Sequence, residues 1–92
     1  MNETLHYRFP PARAYRLNRC LFALKSDAEF RARYLADAPA AMRELALPEE
    51  DQAALRAWDR DRLIDRGAHP YLVFMADLRL RMERGEAVFE YF

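Results

Sequence analysis

A chain of 92 residues with fifteen basic and fifteen acidic side chains carries no net charge. The two signs are interleaved rather than blocked, which argues against a general nucleic-acid or anionic-membrane surface. Hydrophobic residues are 52% and aromatics 13%, too rich for a disordered chain, yet one domain of this size buries only about 60–65% of its unfolded surface. Cys20 stands alone, so no intrachain disulfide is possible. Met1-Asn2-Glu3 opens neither a basic nor an apolar signal region, and the longest apolar run, Tyr71 to Ala76, is too short to span a bilayer. A cytoplasmic protein is expected. Arg supplies all but one of the cations; its fork would suit an interface, although codon usage explains the excess as simply.

Glycines and prolines fall where helices should start or stop, and they divide the chain into an N-terminal arm (1–11), a helical domain (12–85) and a C-terminal tail (86–92). The arm holds His6, Tyr7 and Phe9 in no helical phase and closes at Pro10-Pro11. The first helix is expected from Ala12 to Lys25, with Ala14, Leu17, Cys20, Leu21 and Leu24 on one face. Tyr15 and Phe22 make a second apolar side, and two such sides imply burial on both. Ser26-Asp27-Ala28-Glu29 reads as a capping box opening a second helix with Phe30 and Tyr34.

That helix should end near Ala36, where Asp37 caps a third with Pro39 in its first turn. Ala38, Ala41, Met42 and Leu45 share a face there. Pro48-Glu49-Glu50-Asp51 is an acidic opening turn suited to the helix dipole, followed by Ala54, Leu55 and Trp58. The phase then breaks at Asp61 and Arg62. Asp59 should cap a short helix carrying Leu63 and Ile64, closed by Gly67 in a left-handed conformation.

A final helix from Pro70 to about Arg84 has two apolar sides. Tyr71, Phe74, Met75, Leu78 and Met82 line one; Leu72, Val73, Ala76 and Leu80 line nearly the opposite one. Asp77, Arg81 and Arg84 separate them on one edge, Arg79 and Glu83 on the other. One side can fill the core; the other needs a second cover, from the aromatic tail Ala87-Val88-Phe89-Glu90-Tyr91-Phe92 or from a partner. The expected fold is all-α, a compact bundle of five or six short helices with an extended N-terminal arm.

Catalytic chemistry is poorly provided for. Ser26 and Thr4 are the only hydroxyl nucleophiles of their kinds, and Ser26 has a structural use as a cap. Cys20 sits on the main apolar face of the first helix, where a packed small residue is the simpler role. A facial-triad iron site needs two histidines and a carboxylate, and the only histidines, His6 and His69, are joined by no helical spacing. No catalytic residue and no metal site are assigned. His69 is either a helix cap or a hydrogen-bonding group aimed into a partner's cleft, beside a helix start whose free amides and positive dipole would suit an anion. Asp77 and Arg81, four apart, read as a solvated helix pair.

The order of these signals is similar to one known family. It comprises Asn18-Arg19 with Leu21, Tyr34-Leu35-Ala36-Asp37, Ala40-Ala41-Met42, and Leu45-Ala46-Leu47-Pro48-Glu49-Glu50 with Ala54-Leu55. Trp58-Asp59, Leu63 and Gly67-Ala68-His69-Pro70-Tyr71-Leu72 complete it. Over about residues 13–82 the chain resembles the all-helical LigA-type small (alpha) subunits of protocatechuate 4,5-dioxygenase and related extradiol ring-cleavage dioxygenases. The resemblance implies a non-catalytic lid and pocket-shaping partner. A large catalytic subunit would hold non-haem Fe(II) on two histidines and a glutamate and open a catechol-type ring with O2. The cofactor would therefore lie outside this chain.

Under this resemblance His69, Tyr71, Phe74, Met75 and Leu78 are the candidate partner or pocket contacts, and a homo-oligomer is the expected substitute when the chain is alone. Two features depart from the pattern. Leu47 stands where Ser or Thr often caps the fourth helix, and the chain is shorter than the protocatechuate small subunits. A related helical domain also occurs in split borosin-type precursor peptides, which makes a leader-binding recognition or adaptor domain the alternative function.

Overall fold

The computed structural model of the protein describes residues 14–85. The arm and the tail lie outside the described residues. Six helices follow one another: α1 (Tyr15–Ser26), α2 (Ala28–Ala36), α3 (Ala38–Glu44), α4 (Glu49–Ala57), α5 (Arg60–Asp65) and α6 (Pro70–Glu83). No strand occurs among the described residues.

Short polar side chains start most of these helices. Asp37 accepts from the Ala40 amide at 3.2 Å and Asp59 from the Arg62 amide at 3.1 Å, each quenching an orphan donor of the first turn. The expected capping box at Ser26 is not formed. Ser26 is the last residue of α1, and Asp27, in an extended conformation, accepts from the Phe30 amide at 3.0 Å. A carboxylate is the better group at the positive end of a helix, so the register moves by one residue. At α4 the departure noted at Leu47 is resolved differently. Pro48 occupies the cap without a side-chain bond, Leu47 is buried, and the Gln52 side chain donates to the Leu47 carbonyl at 2.9 Å.

Three helices end in the same way. After α5 the Gly67 amide donates to Ile64 O and the Ala68 amide to Leu63 O, both at 2.9 Å, with Gly67 at φ 104°. This paired termination needs a left-handed residue. Ala46 (φ 54°) and Trp58 (φ 47°) fill the same position after α3 and α4. Sequence reading finds only the glycine, because the other two are held there by the tertiary contacts of Leu47 and Trp58 with the core.

The core is built on α1. Leu17, Cys20, Leu21 and Leu24 are fully buried and meet Val73, Ala76 and Leu80 of α6, with Phe30 and Tyr34, Met42, Leu55 and Leu63 closing the sides. The second apolar side of α1 is not covered: Tyr15 and Phe22 are exposed, contrary to the expectation of burial on both sides. The α1–α6 packing fills one stripe of α1, and Lys25 lies over the Phe22 ring at 5.4 Å.

Two buried charges tie the bundle. Arg31 donates to the carbonyls of Leu24 (3.0 Å) and Lys25 (3.2 Å), which satisfies the end of α1, and pairs with Glu83 of α6 at 3.3 Å. Asp51, only 1% exposed, accepts from Arg66 Nε at 2.6 Å. The Asp51 carboxylate, through this bond and its charge, holds the Arg66 guanidinium above its ordinary pKa.

Two outcomes follow from this core. Ala46 is exposed in a left-handed turn, where a Cβ costs roughly 1 kcal/mol. Ala46→Gly is therefore expected to raise stability by about 0.5–1 kcal/mol in urea unfolding. Burial pushes the Cys20 thiol from 9.0 up to about 12 and, with the neighbouring thiolate, the Tyr34 hydroxyl from 10.0 up to about 12. Both groups lose protons more readily when unfolded, so their stabilisation is complete below about pH 9 and falls as pH rises toward about 12. Urea midpoints measured between pH 8 and 11 should fall, and less steeply in Cys20→Ala.

Candidate functional site

The start of α6 is where the sequence concentrates its unusual residues, and its geometry is set from α1. Asn18, one turn into α1, donates from Nδ2 to the Gly67 carbonyl (3.0 Å) and to Ala14 O (3.1 Å). Its Oδ1 accepts from the His69 amide at 2.8 Å. Both faces of one amide thus clamp the turn that Gly67 begins. Ala68 is buried beneath it, and Pro70, with its fixed φ and no amide proton, opens α6.

His69 is the N-cap of α6. Its Nδ1 accepts from the Tyr71 amide at 3.1 Å, and its ring stands edge-on to the Tyr71 ring with centroids 6.5 Å apart. With Nδ1 accepting, the imidazole carries its proton on Nε2, so the exposed residue offers Nε2–H as a donor. The expectation of an open anion cradle at this helix start is corrected. Pro70 has no amide to offer, and the Tyr71 amide is occupied by the ring of His69.

Beyond the cap, the two sides of α6 part company. Val73, Ala76 and Leu80 enter the core, with Leu72 packed against it. Tyr71 is 55% exposed, Phe74 42% and Met82 46%, while Met75 is half-buried. Leu78, in the middle of the same stripe, is only 7% exposed. The open part of the stripe is therefore Tyr71, Phe74 and Met75 near the helix start, with Met82 further along. Tyr15 lies one turn before Asn18, hence at this same end of the molecule, and is also exposed. The Asp77–Arg81 pair forms at 3.4 Å, partly buried rather than fully solvated.

Sequence reading names His69, Tyr71 and Phe74 for this region but misses Asn18 as the residue that fixes the turn. The only local signal is an amide side chain on the third-and-fourth-spaced apolar face of α1, and nothing in the spacing tells which loop it meets. His6 lies outside the described residues. Among the described residues no three of His, Cys, Asp and Glu are grouped so as to hold a metal ion, and no helix is long and apolar enough to cross a membrane.

These features define a small helical domain with a rigidly clamped, partly apolar helix start. The chain belongs to the family of the LigA subunit of the aromatic-ring-opening dioxygenase LigAB, whose model matches residues 17–89. No curated protein and no solved structure matches the chain.

The clamp gives a direct measurement. Asn18→Ala removes two inter-helix hydrogen bonds and leaves the His69 amide and Gly67 carbonyl to find water. The expected cost is about 1–3 kcal/mol in unfolding free energy, with faster amide exchange at His69 and an otherwise unchanged helical spectrum.

Proposed function

We propose that this chain is the non-catalytic small subunit, or a free-standing relative of it, of a non-haem Fe(II) extradiol dioxygenase of aromatic catabolism in the cytoplasm. It acts as a lid over the mouth of the large catalytic subunit's site. The observation that carries this reading is the outer side of α6: Tyr71, Phe74 and Met75 stand open beside a clamped turn, in a chain matched by the small-subunit family. Exposed aromatics grouped at one helix start are the anchor type that protein interfaces use.

The described residues do not fit the family's iron. His69 uses Nδ1 on its own helix, and no second ligand is grouped with it. In this reading the metal belongs to the large partner, which supplies the ring-opening chemistry, and this chain contributes shape and water exclusion. Tyr71, Phe74 and Met75 make the contact, with Leu78 buried behind them as support. His69 directs Nε2–H toward the partner's cleft and the ring substrate. Alone, the chain pairs with a second copy through the same apolar side.

The test is co-purification from the native host, followed by reconstitution with the large extradiol subunit expected to come down with the chain. Phe74→Asp should weaken assembly at least about tenfold, because it places a charge in an apolar contact. His69→Ala should leave assembly intact and raise KM about 2- to 10-fold, the worth of one hydrogen bond of about 0.5–1.5 kcal/mol. Unchanged assembly in the first variant together with unchanged kinetics in the second would remove both assignments. Recovery of a methyltransferase in place of a dioxygenase would favour the adaptor function.

A further inference from the structure

The outer side of α1 is an open surface that the proposed function does not use. Tyr15, Arg19, Phe22 and Ser26 recur by fours and threes, so they form one stripe on the side of α1 away from Leu17, Cys20, Leu21 and Leu24. Tyr15 is 65% exposed and Phe22 54%. The same helix is the cationic exception in a neutral chain. It holds Arg16, Arg19 and Lys25 and no acid, whereas each of the other described helices holds at least one acid. Arg16 and Arg19 have no ion-pair partner among the described residues. Arg16 stands in the first turn of α1 and Arg19 just after it, at the dipole end that favours an acid over a cation.

A cavity of about 300 Å3 opens beside Phe22, between α1, α2 and the end of α3. Phe22, Ala23, Phe30 and Leu45 give it an apolar lining. Its two acids are engaged. Asp27 caps α2 by accepting from the Phe30 amide, and Glu44 accepts from both prongs of Arg33, at 3.2 and 3.3 Å. Arg33 also lies over the Phe30 ring, 5.6 Å from its centroid. The polar groups left to serve an occupant are donors: the Arg19 guanidinium, and the Ser26 O–H, whose oxygen already accepts from Lys25 at 3.5 Å.

We propose that the outer side of α1 docks an acidic helix of a partner protein, whose apolar anchor enters the cavity beside Phe22 and whose carboxylates lie over Arg19 and Arg16. Arg16 is roughly 9 Å along the axis from Phe22 and Arg19 about half as far. An anchor with acids one and two turns away from it presents that pattern on one helix face. Exposed aromatics with arginine between them are the side chains that protein interfaces favour. A second copy of this chain is disfavoured, because it brings cations against cations. A phosphate backbone or a lipid surface would also meet Asp27 and Glu44 at the cavity, where an apolar anchor brings no charge. The surface does not depend on the dioxygenase reading.

The probe is a fluorescein-labelled amphipathic helical peptide with a leucine anchor and glutamates one and two turns from it; its counterpart carries lysine at every glutamate. Fluorescence anisotropy is read against the full chain at low salt, where exposed charges are least screened. The acidic peptide is expected to bind at least about tenfold more tightly than the lysine peptide. Arg19→Glu and Phe22→Ser are each expected to weaken it at least about fivefold with unchanged helical circular dichroism. Arg60→Glu makes the same charge change at an exposed residue of α5, and is expected to leave the affinity within about twofold. No binding of the acidic peptide, equal binding of the two peptides, or equal losses in Arg19→Glu and Arg60→Glu overturns the proposal. Tighter binding to phosphatidylserine vesicles or to oligouridylate, lost in Arg19→Glu, overturns it in favour of a lipid or a nucleic-acid surface.

Discussion

Everything in this bundle is referred to the side-by-side packing of α1 on α6, which run in the same direction. Two polar ties at opposite ends make that packing unique. Asn18 holds the beginning of α6 through Gly67 and His69, and Arg31 holds the end of α1 to Glu83 near the end of α6. Leucine contacts between two helices tolerate sliding, because one apolar stripe fits another at several offsets. A half-buried amide with three hydrogen bonds and a buried guanidinium do not, since each displaced register leaves a polar group without a partner. Parallel neighbours also require the chain to travel back between them. Helices α2 to α5 make that return and cover the seam.

The return path is made of short helices, which have little stability of their own. They are stopped by left-handed residues at Ala46, Trp58 and Gly67 and restarted by Pro48, Asp59 and His69. The tight sequence of stops and starts lets Leu47, Leu55 and Leu63 reach one core from three directions. The Asp51–Arg66 pair locks the beginning of α4 to the end of α5. Its acid is almost wholly enclosed, so the pair chiefly specifies geometry: without the guanidinium the carboxylate would be a buried, uncompensated charge. Exposed pairs such as Arg33–Glu44 and Arg56–Glu49 add little by comparison.

The same constraint explains the division of α6. A helix clamped at its start by Asn18 and near its end by Arg31 cannot rotate, so Val73, Ala76 and Leu80 must face inward and Tyr71 and Phe74 must face out. The apolar content of α6 is nearly the same on both sides, and its amphipathicity is correspondingly weak. A helix of this composition does not report which of its sides faces the domain's own core. The clamped cap has a second consequence. It turns His69 into a fixed donor and removes the Tyr71 amide from service, so the helix start offers recognition by one side chain rather than by a set of backbone donors.

The sequence by itself determined the helical class, four of the six helix starts (those after Asp37, Pro48, Asp59 and His69) and the closing role of Gly67. These depend on local chemistry: Asp and Pro near first turns, glycine at a left-handed stop, and apolar spacing by threes and fours. It also gave the inventory of one Ser, one Thr, one Cys and two His directly. Only the tertiary structure decided which side of α6 is core, that Tyr15 and Phe22 remain open, that Asn18 fixes the candidate site, and that Asp51 and Arg31 are buried ions. Each of these depends on a partner far along the chain, fifteen residues for Asp51 with Arg66 and fifty-one for Asn18 with His69. Periodicity describes one element at a time, whereas a polar side chain's role is settled by the backbone that packing brings within about 3 Å of it.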